Sequence, residues 1–211
     1  MLRWLFAKIS AKDRPRTFTI HTYVEAELID KRWGDSVRAV EDVIKHASSI
    51  YEKHFGIGFL LTGVESWELP KHIEKSTRAD ADEALRVMRQ LRFHHNAEIT
   101  LAFVHKSPVR SNFMKHGEEI GGFSDAYSGC AIIGYLFRPS AVLIVTLHEI
   151  GHLFGAKHSV SSLEPSVMDW HPFTPEEHPH TFDKKSVRAI LVNKHRLLLR
   201  SGSCVFSSWW L

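Results

Sequence analysis

The apolar run AVLIVTL, residues 141–147, passes without a break into HEIGHLFGAKH, residues 148–158. The first segment belongs in a core, and no proline interrupts a helix between Ser140 and Gly155. The second segment is an expensive continuation of a buried helix, because imidazoles and a carboxylate each need a partner once water is excluded. A chain with this stretch must bury one half of a helix and open the other half onto a site that satisfies its polar groups.

The spacing says what that site holds. A helix turns once in about 3.6 residues, so His148 and His152 project from one face, one turn apart. Two imidazoles so placed can bind one tetrahedral ion, and neutral imidazole suits zinc. Glu149, beside the first histidine, is positioned to reach a water rather than the ion. Gly155 permits a sharp turn out of the helix, which returns His158 as a third ligand. The fourth position stays open, as in catalytic rather than structural zinc sites. H-E-x-x-H alone is a short motif that arises by chance; requiring Gly155 and His158 as well leaves on the order of one such chain in several thousand. Met168 follows in SVMDW, residues 166–170. Alone it would read as core filler, but here it can set a soft, uncharged side chain beneath the imidazoles.

The rest of the chain is that of a globular protein with one sizeable core: 211 residues, 44% hydrophobic and 24% charged. No segment approaches the ~20 apolar residues of a membrane span. A formal charge of +3, with both signs interspersed, gives no nucleic-acid footprint. The start, MLRWLFAKISAKDRPR, lacks the long apolar stretch and cleavage site of a secretory leader. The expectation is a protein that stays inside the cell, or a secreted one if a leader precedes this sequence. The two cysteines, Cys130 and Cys204, are too few for a disulfide scaffold. Of the 15 histidines, those such as His46, His94 and His105 read as solvated or singly hydrogen-bonded.

Strands and helices alternate. TFTIHTYVEAEL, residues 17–28, alternates as a half-buried strand does. A helix capped by Asp35 or Ser36 follows, with Val37, Val40, Ile44, Ala47 and Tyr51 on one face and Gly56 closing it. IGFLLTGVESWEL is a second strand, ADADEALRVMRQLRFH a second helix, and AEITLAFVH a third strand. Residues 107–129 are irregular, with a short strand near Ile120 to Ala126, and CAIIGYLF is a further strand. The histidine-bearing helix, a loop with four prolines over 159–181, and an amphipathic helix in FDKKSVRAILVNKHRLLLR complete the chain. The pattern predicts an α/β (α+β) fold with one mixed sheet and an irregular lower part.

H-E-x-x-H-x-x-G-x-x-H followed by a Met-turn is the metzincin signature. His148, Glu149, His152, Gly155, His158 and Met168 match it position for position, so the chain resembles that clan of zinc metalloproteases. The block from Val24 to Trp67 is similar to the start of an adamalysin (reprolysin-like) catalytic domain, whereas Ser159 after the third histidine is the matrixin choice. Trp170 stands where astacins and serralysins carry a tyrosine ligand, and it has no oxygen to offer. The resemblance implies a twisted mixed sheet with an antiparallel edge strand, two long helices besides the zinc helix, and a C-terminal helix. It divides the chain into an extension (1–16), a catalytic domain (17–204) and an apolar tail (205–211).

The function implied is endopeptidase action on a protein or peptide, with one catalytic Zn2+ held by His148, His152 and His158; a monomer is assumed, as nothing in the sequence sets the oligomeric state. Glu149 would be the general base. The alternative is a zinc-bound peptide-recognition module without turnover, against which the intact Glu149 stands. EIGGFSDA, with Gly121, Gly122 and Phe123, falls where metzincins have a substrate-pairing edge strand, or is equally a flexible glycine loop. Trp170, Pro172 and Phe173 could wall a side-chain pocket, or equally form a core patch. The resemblance also pairs Cys130 with Cys204, although both can equally stay reduced.

Overall fold

A computed structural model describes residues 15–29, 33–71, 73, 78–105, 109–110, 119–134, 139–159, 166–169 and 180–195. Its main sheet has five strands in the order β2-β1-β3-β7-β6. These are β1 (Arg16–Glu25), β2 (Ile57–Trp67), β3 (Ile99–Val104), β6 (Gly122–Asp125) and β7 (Cys130–Gly134), with a separate two-stranded sheet of β4 (Val109–Arg110) and β5 (Glu119–Ile120). β1 pairs in parallel with β2 and β3, and β3 in parallel with β7; only β6 runs antiparallel, at the sheet's end. The expected mixed sheet with an antiparallel edge strand is therefore present.

Strand alternation divides the interior in two. Phe18, Ile20 and Val24 of β1, Ile99, Leu101 and Phe103 of β3, and Ala131 and Ile133 of β7 join one core with helices α2 (Trp33–Phe55), α4 (Pro139–Leu153) and α5 (Lys184–Asn193). The intervening residues, Tyr23, Ala102, Val104, Cys130 and Ile132, meet α3 (Arg78–His95) on the opposite face. Fully burying a side chain such as Phe18 or Phe103 contributes about 1.5–3 kcal/mol. Tyr51 fixes α2 to α4: its buried hydroxyl donates to the Leu147 carbonyl at 2.9 Å, and burial raises its pKa well above the usual range.

Two of the element boundaries that differ from the periodicity have a visible cause. β1 ends at Glu25 and a single helical turn, α1 (Ala26–Ile29), takes the place of its last expected residues. Glu25 is buried and its carboxylate accepts from the His105 amide at 2.7 Å, a tertiary partner that stops the strand. α2 starts at Trp33 rather than at the Asp35 or Ser36 cap, and Ser36 instead donates to the Leu28 carbonyl of α1.

Candidate metal centre

α4 packs Val142, Leu147, Ile150 and Leu153 into the core and carries His148 and Glu149 among them. Leu153 is its last residue, and Gly155 then takes φ 81, a left-handed conformation that turns the chain sharply. His158 is thereby folded back over the helix end. The Nε2 atoms of His148, His152 and His158 form a triangle with sides of 3.0, 3.1 and 3.1 Å.

The tautomers follow from the partners. His148 Nδ1 lies 2.7 Å from the Val167 carbonyl, and His152 Nδ1 lies 2.8 Å from the Ala156 carbonyl. A carbonyl only accepts, so each Nδ1 carries the proton and each Nε2 presents a lone pair. Lone pairs that converge at 3 Å repel one another unless a cation lies between them. A tetrahedral ion with bonds of 2.0–2.1 Å sets its ligands about 3.3 Å apart, within a few tenths of an ångström of this triangle. The residues fit a zinc ion. Burial lowers the pKa of all three rings, that of His158 to about 4, and repulsion among the imidazoles adds to it for His148 and His158. All three rings are therefore uncharged near neutral pH, the form in which imidazole can bind a metal ion.

Glu149 is 4% exposed and stands against the edge strand. A Cβ at Gly122 would lie 2.6 Å from Glu149 Cγ, so only glycine admits the carboxylate here. Burial pushes its pKa up to about 8, against the downward pull of a hydrogen bond from the Ser124 side chain. Its Oε2 is buried without a hydrogen-bond partner.

Beneath His148 lies a short turn at residues 166–169, tied down from three directions. Ser159 donates its amide to the Met168 carbonyl at 2.7 Å, Val167 donates to the Thr181 carbonyl at 2.8 Å, and Ser166 Oγ donates to Asp183 Oδ2 at 3.0 Å. Met168 is wholly buried, and a Cβ at Gly151 would stand 2.6 Å from its sulfur, so turn and helix are in close contact.

Among the described residues, the expected site residues are brought together with one exception, Phe123, which faces away from the histidines. His148, Glu149, His152, His158 and Met168 meet at the end of α4. Gly121 and Gly122 lie along it, Gly121 so close that a Cβ would be 2.7 Å from Val145. Phe123 packs on the other face of the sheet, against the α3 cluster. Trp170, Pro172, Phe173 and Cys204 lie outside the described residues, as do the first fourteen residues and the tail. Cys130 is buried, its thiol raised to about 11 mainly by burial. Ser124, Ser166 and Asp183 were not expected in the site. The serine two residues before Met168 was the only local sign of them.

The model of the metallo-peptidase family M12 matches residues 14–169. The chain belongs to metallo-peptidase family M12. The match spans the sheet, α4, the three histidines and the 166–169 turn of this M12 metallopeptidase. No curated protein matches it in sequence. Among solved structures it is similar to a chain of a chaperone–substrate complex, with a TM-score of 0.60 and 12% identity over 87% of this chain and 35% of that one. It is also similar to archaemetzincin from Methanopyrus kandleri, with a TM-score of 0.59 and 14% identity over 90% of this chain and 100% of that one. A zinc-dependent peptidase from Methanocorpusculum labreanum aligns with a TM-score of 0.51 and 16% identity, over 81% and 99%. The likeness is one of fold.

Proposed function

We propose that this M12 metallopeptidase is a zinc-dependent endopeptidase of the metzincin type, with His148, His152 and His158 as metal ligands and the 166–169 turn as its Met-turn. The observation that carries the reading is the convergence of three Nε2 atoms, two of them with lone pairs fixed by carbonyl partners, beside a buried glutamate. The zinc ion, when bound, supplies Lewis acidity, lowering the pKa of water from about 15.7 to near 7 and polarising the scissile carbonyl.

The chain's own residues supply the rest. Glu149 takes a proton from the attacking water, holds it on its carboxylate, and passes it to the leaving amine. Burial, by raising its pKa, makes this carboxylate a stronger proton acceptor than an exposed one. Ser124 and the bare backbone of Gly122 hold that carboxylate in place. β6 ends the sheet, and no strand covers its outer edge among the described residues. An extended peptide can add there as a further strand, which favours cleavage within chains rather than at their ends. Ser159, bridged to Asp169, is the matrixin-like feature, and the block through β2 the adamalysin-like one.

Incubation with a peptide library, with and without a zinc chelator, tests the reading. Internal cleavage that stops with the chelator is expected. Glu149→Gln should retain the metal and lose about 10²–10⁴ of the rate, whereas His158→Ala should lose the metal. A parent protein that binds zinc and peptides but cleaves nothing would instead identify a recognition module.

A further inference from the structure

The sheet face covered by α3 carries a second convergence of ligand-type side chains, on the opposite side from α4. His21 of β1, Glu65 of β2 and His95, the last residue of α3, bring one nitrogen or oxygen each within 4.8 Å of one another. His21 Nε2 is 3.6 Å from Glu65 Oε1, and His95 Nε2 is 3.5 Å from Glu65 Oε2. Both distances are too long for hydrogen bonds. They are close to the roughly 3.3 Å that separates neighbouring ligands of a tetrahedral ion.

The backbone builds this cluster. The register between β1 and β2 shifts between Ile20 and His21, so that His21 lies opposite Gly63. A Cβ at Gly63 would stand 2.8 Å from His21 Cε1, and the missing side chain gives the ring its space. His21 is 4% exposed, and its Nε2 is buried without a hydrogen-bond partner. Tyr23 borders the same space, its ring centroid 5.1 Å from that of His21 and 5.8 Å from that of His95; its hydroxyl is also buried and unpartnered. Burial and then the neighbouring His95 hold the His21 pKa below its usual value, against the pull of Glu65, so the ring is neutral near pH 7.

We propose that His21, Glu65 and His95 form a second site for a divalent transition-metal cation, which clamps the end of α3 to β1 and β2. Two imidazoles and a carboxylate suit zinc among such ions. One rearrangement is required. The two rings are stacked, with centroids 3.9 Å apart and planes at 9°, and parallel rings cannot both aim in-plane lone pairs at one ion. His95 is the ring that turns, since its side chain is 25% exposed against 5% for His21. Glu65, at 48%, can follow it.

The test removes the α4 site from the count with His148→Ala and His152→Ala in the full chain. That protein is expected to take up one zinc ion in equilibrium dialysis, and its thermal midpoint to rise on adding zinc. Adding His95→Ala or Glu65→Gln, both at partly exposed positions, should weaken zinc affinity more than about 100-fold, beyond the roughly 10–100-fold that losing a supporting hydrogen bond costs. The zinc-dependent rise should vanish as well. The same two substitutions in the parent sequence should lower zinc content by one per chain and leave peptide cleavage unchanged. This readout holds even if the α4 variants fold poorly or the peptidase reading fails. Zinc content and midpoint shift that are indifferent to both His95→Ala and Glu65→Gln overturn the proposal.

Discussion

Glu149 has a wall on one side and a hydrogen bond on the other, and its position depends on both. Gly122→Ala would place a methyl group 2.6 Å from Glu149 Cγ, where something must shift. Overpacking of that kind costs about 1–3 kcal/mol. The side chain with room to move is the carboxylate. We expect Gly122→Ala to keep its metal and fold and to lose at least about tenfold in kcat, with a smaller change in KM. Metal analysis beside steady-state kinetics checks this, and an unchanged kcat would remove Gly122 from the site. The histidines, by contrast, were legible in the sequence because a helix fixes the relation between positions four apart. Gly155 announced the turn that returns His158. Ser124 was not legible, since its place beside Glu149 depends on how β6 pairs with β7.

Among the elements, α5 is capped by Asp183, which also anchors the turn below the histidines. Its carboxylate accepts from the amides of Lys185 and Ser186 at 2.9 and 3.0 Å, and from Ser186 Oγ and Ser166 Oγ. Burial pushes its pKa up, but these hydrogen bonds outweigh it and hold the folded value below 3.8. Because the folded pKa is the depressed one, this stabilisation is complete above the unfolded value and drains away as pH falls through the folded one. Asp183→Ala should cost about 1–2 kcal/mol at pH 7, as helix caps do. The gap between parent and variant should narrow towards pH 2, which denaturant melts at several pH values would show. A constant gap would mean that the cap acts without its charge. The helix itself could be read from FDKKSVRAIL; its tie to Ser166, seventeen residues earlier, could not. Nothing local encodes a contact that only folding creates. The same holds for α1, where four residues carry too little periodicity to announce one turn of helix.

For the whole molecule, the two-sided sheet means that the metal helix is held chiefly by α2 and the strands beneath it. Tyr51→Phe removes only the hydroxyl that α2 donates to Leu147 one residue before His148. Losing that buried hydrogen bond should lower stability by about 1 kcal/mol, seen as a shift in denaturant midpoint at unchanged slope. Peptide cleavage should fall only modestly. The alternation of strands and helices made the mixed sheet legible as a class, while the order β2-β1-β3-β7-β6 was not, because pairing partners are chosen by packing across the sheet.

β6 meets Glu149 with Gly122 and Ser124, while on its other face Asp125 takes a hydrogen bond from Arg89 of α3 at 2.7 Å. Odd and even residues therefore have different duties, and the four-residue loop from Ala126 to Gly129 sets which is which. Loops usually absorb a change of length, but this one keeps count for the strand before it. Deleting Ser128 should let the strand slip by one residue, turning Phe123 or Asp125 towards Glu149. Such a protein would remain folded, with its histidines in place, and would cleave nothing. In a library of single-residue deletions, this surface loop would then be as intolerant as the helix that carries the histidines.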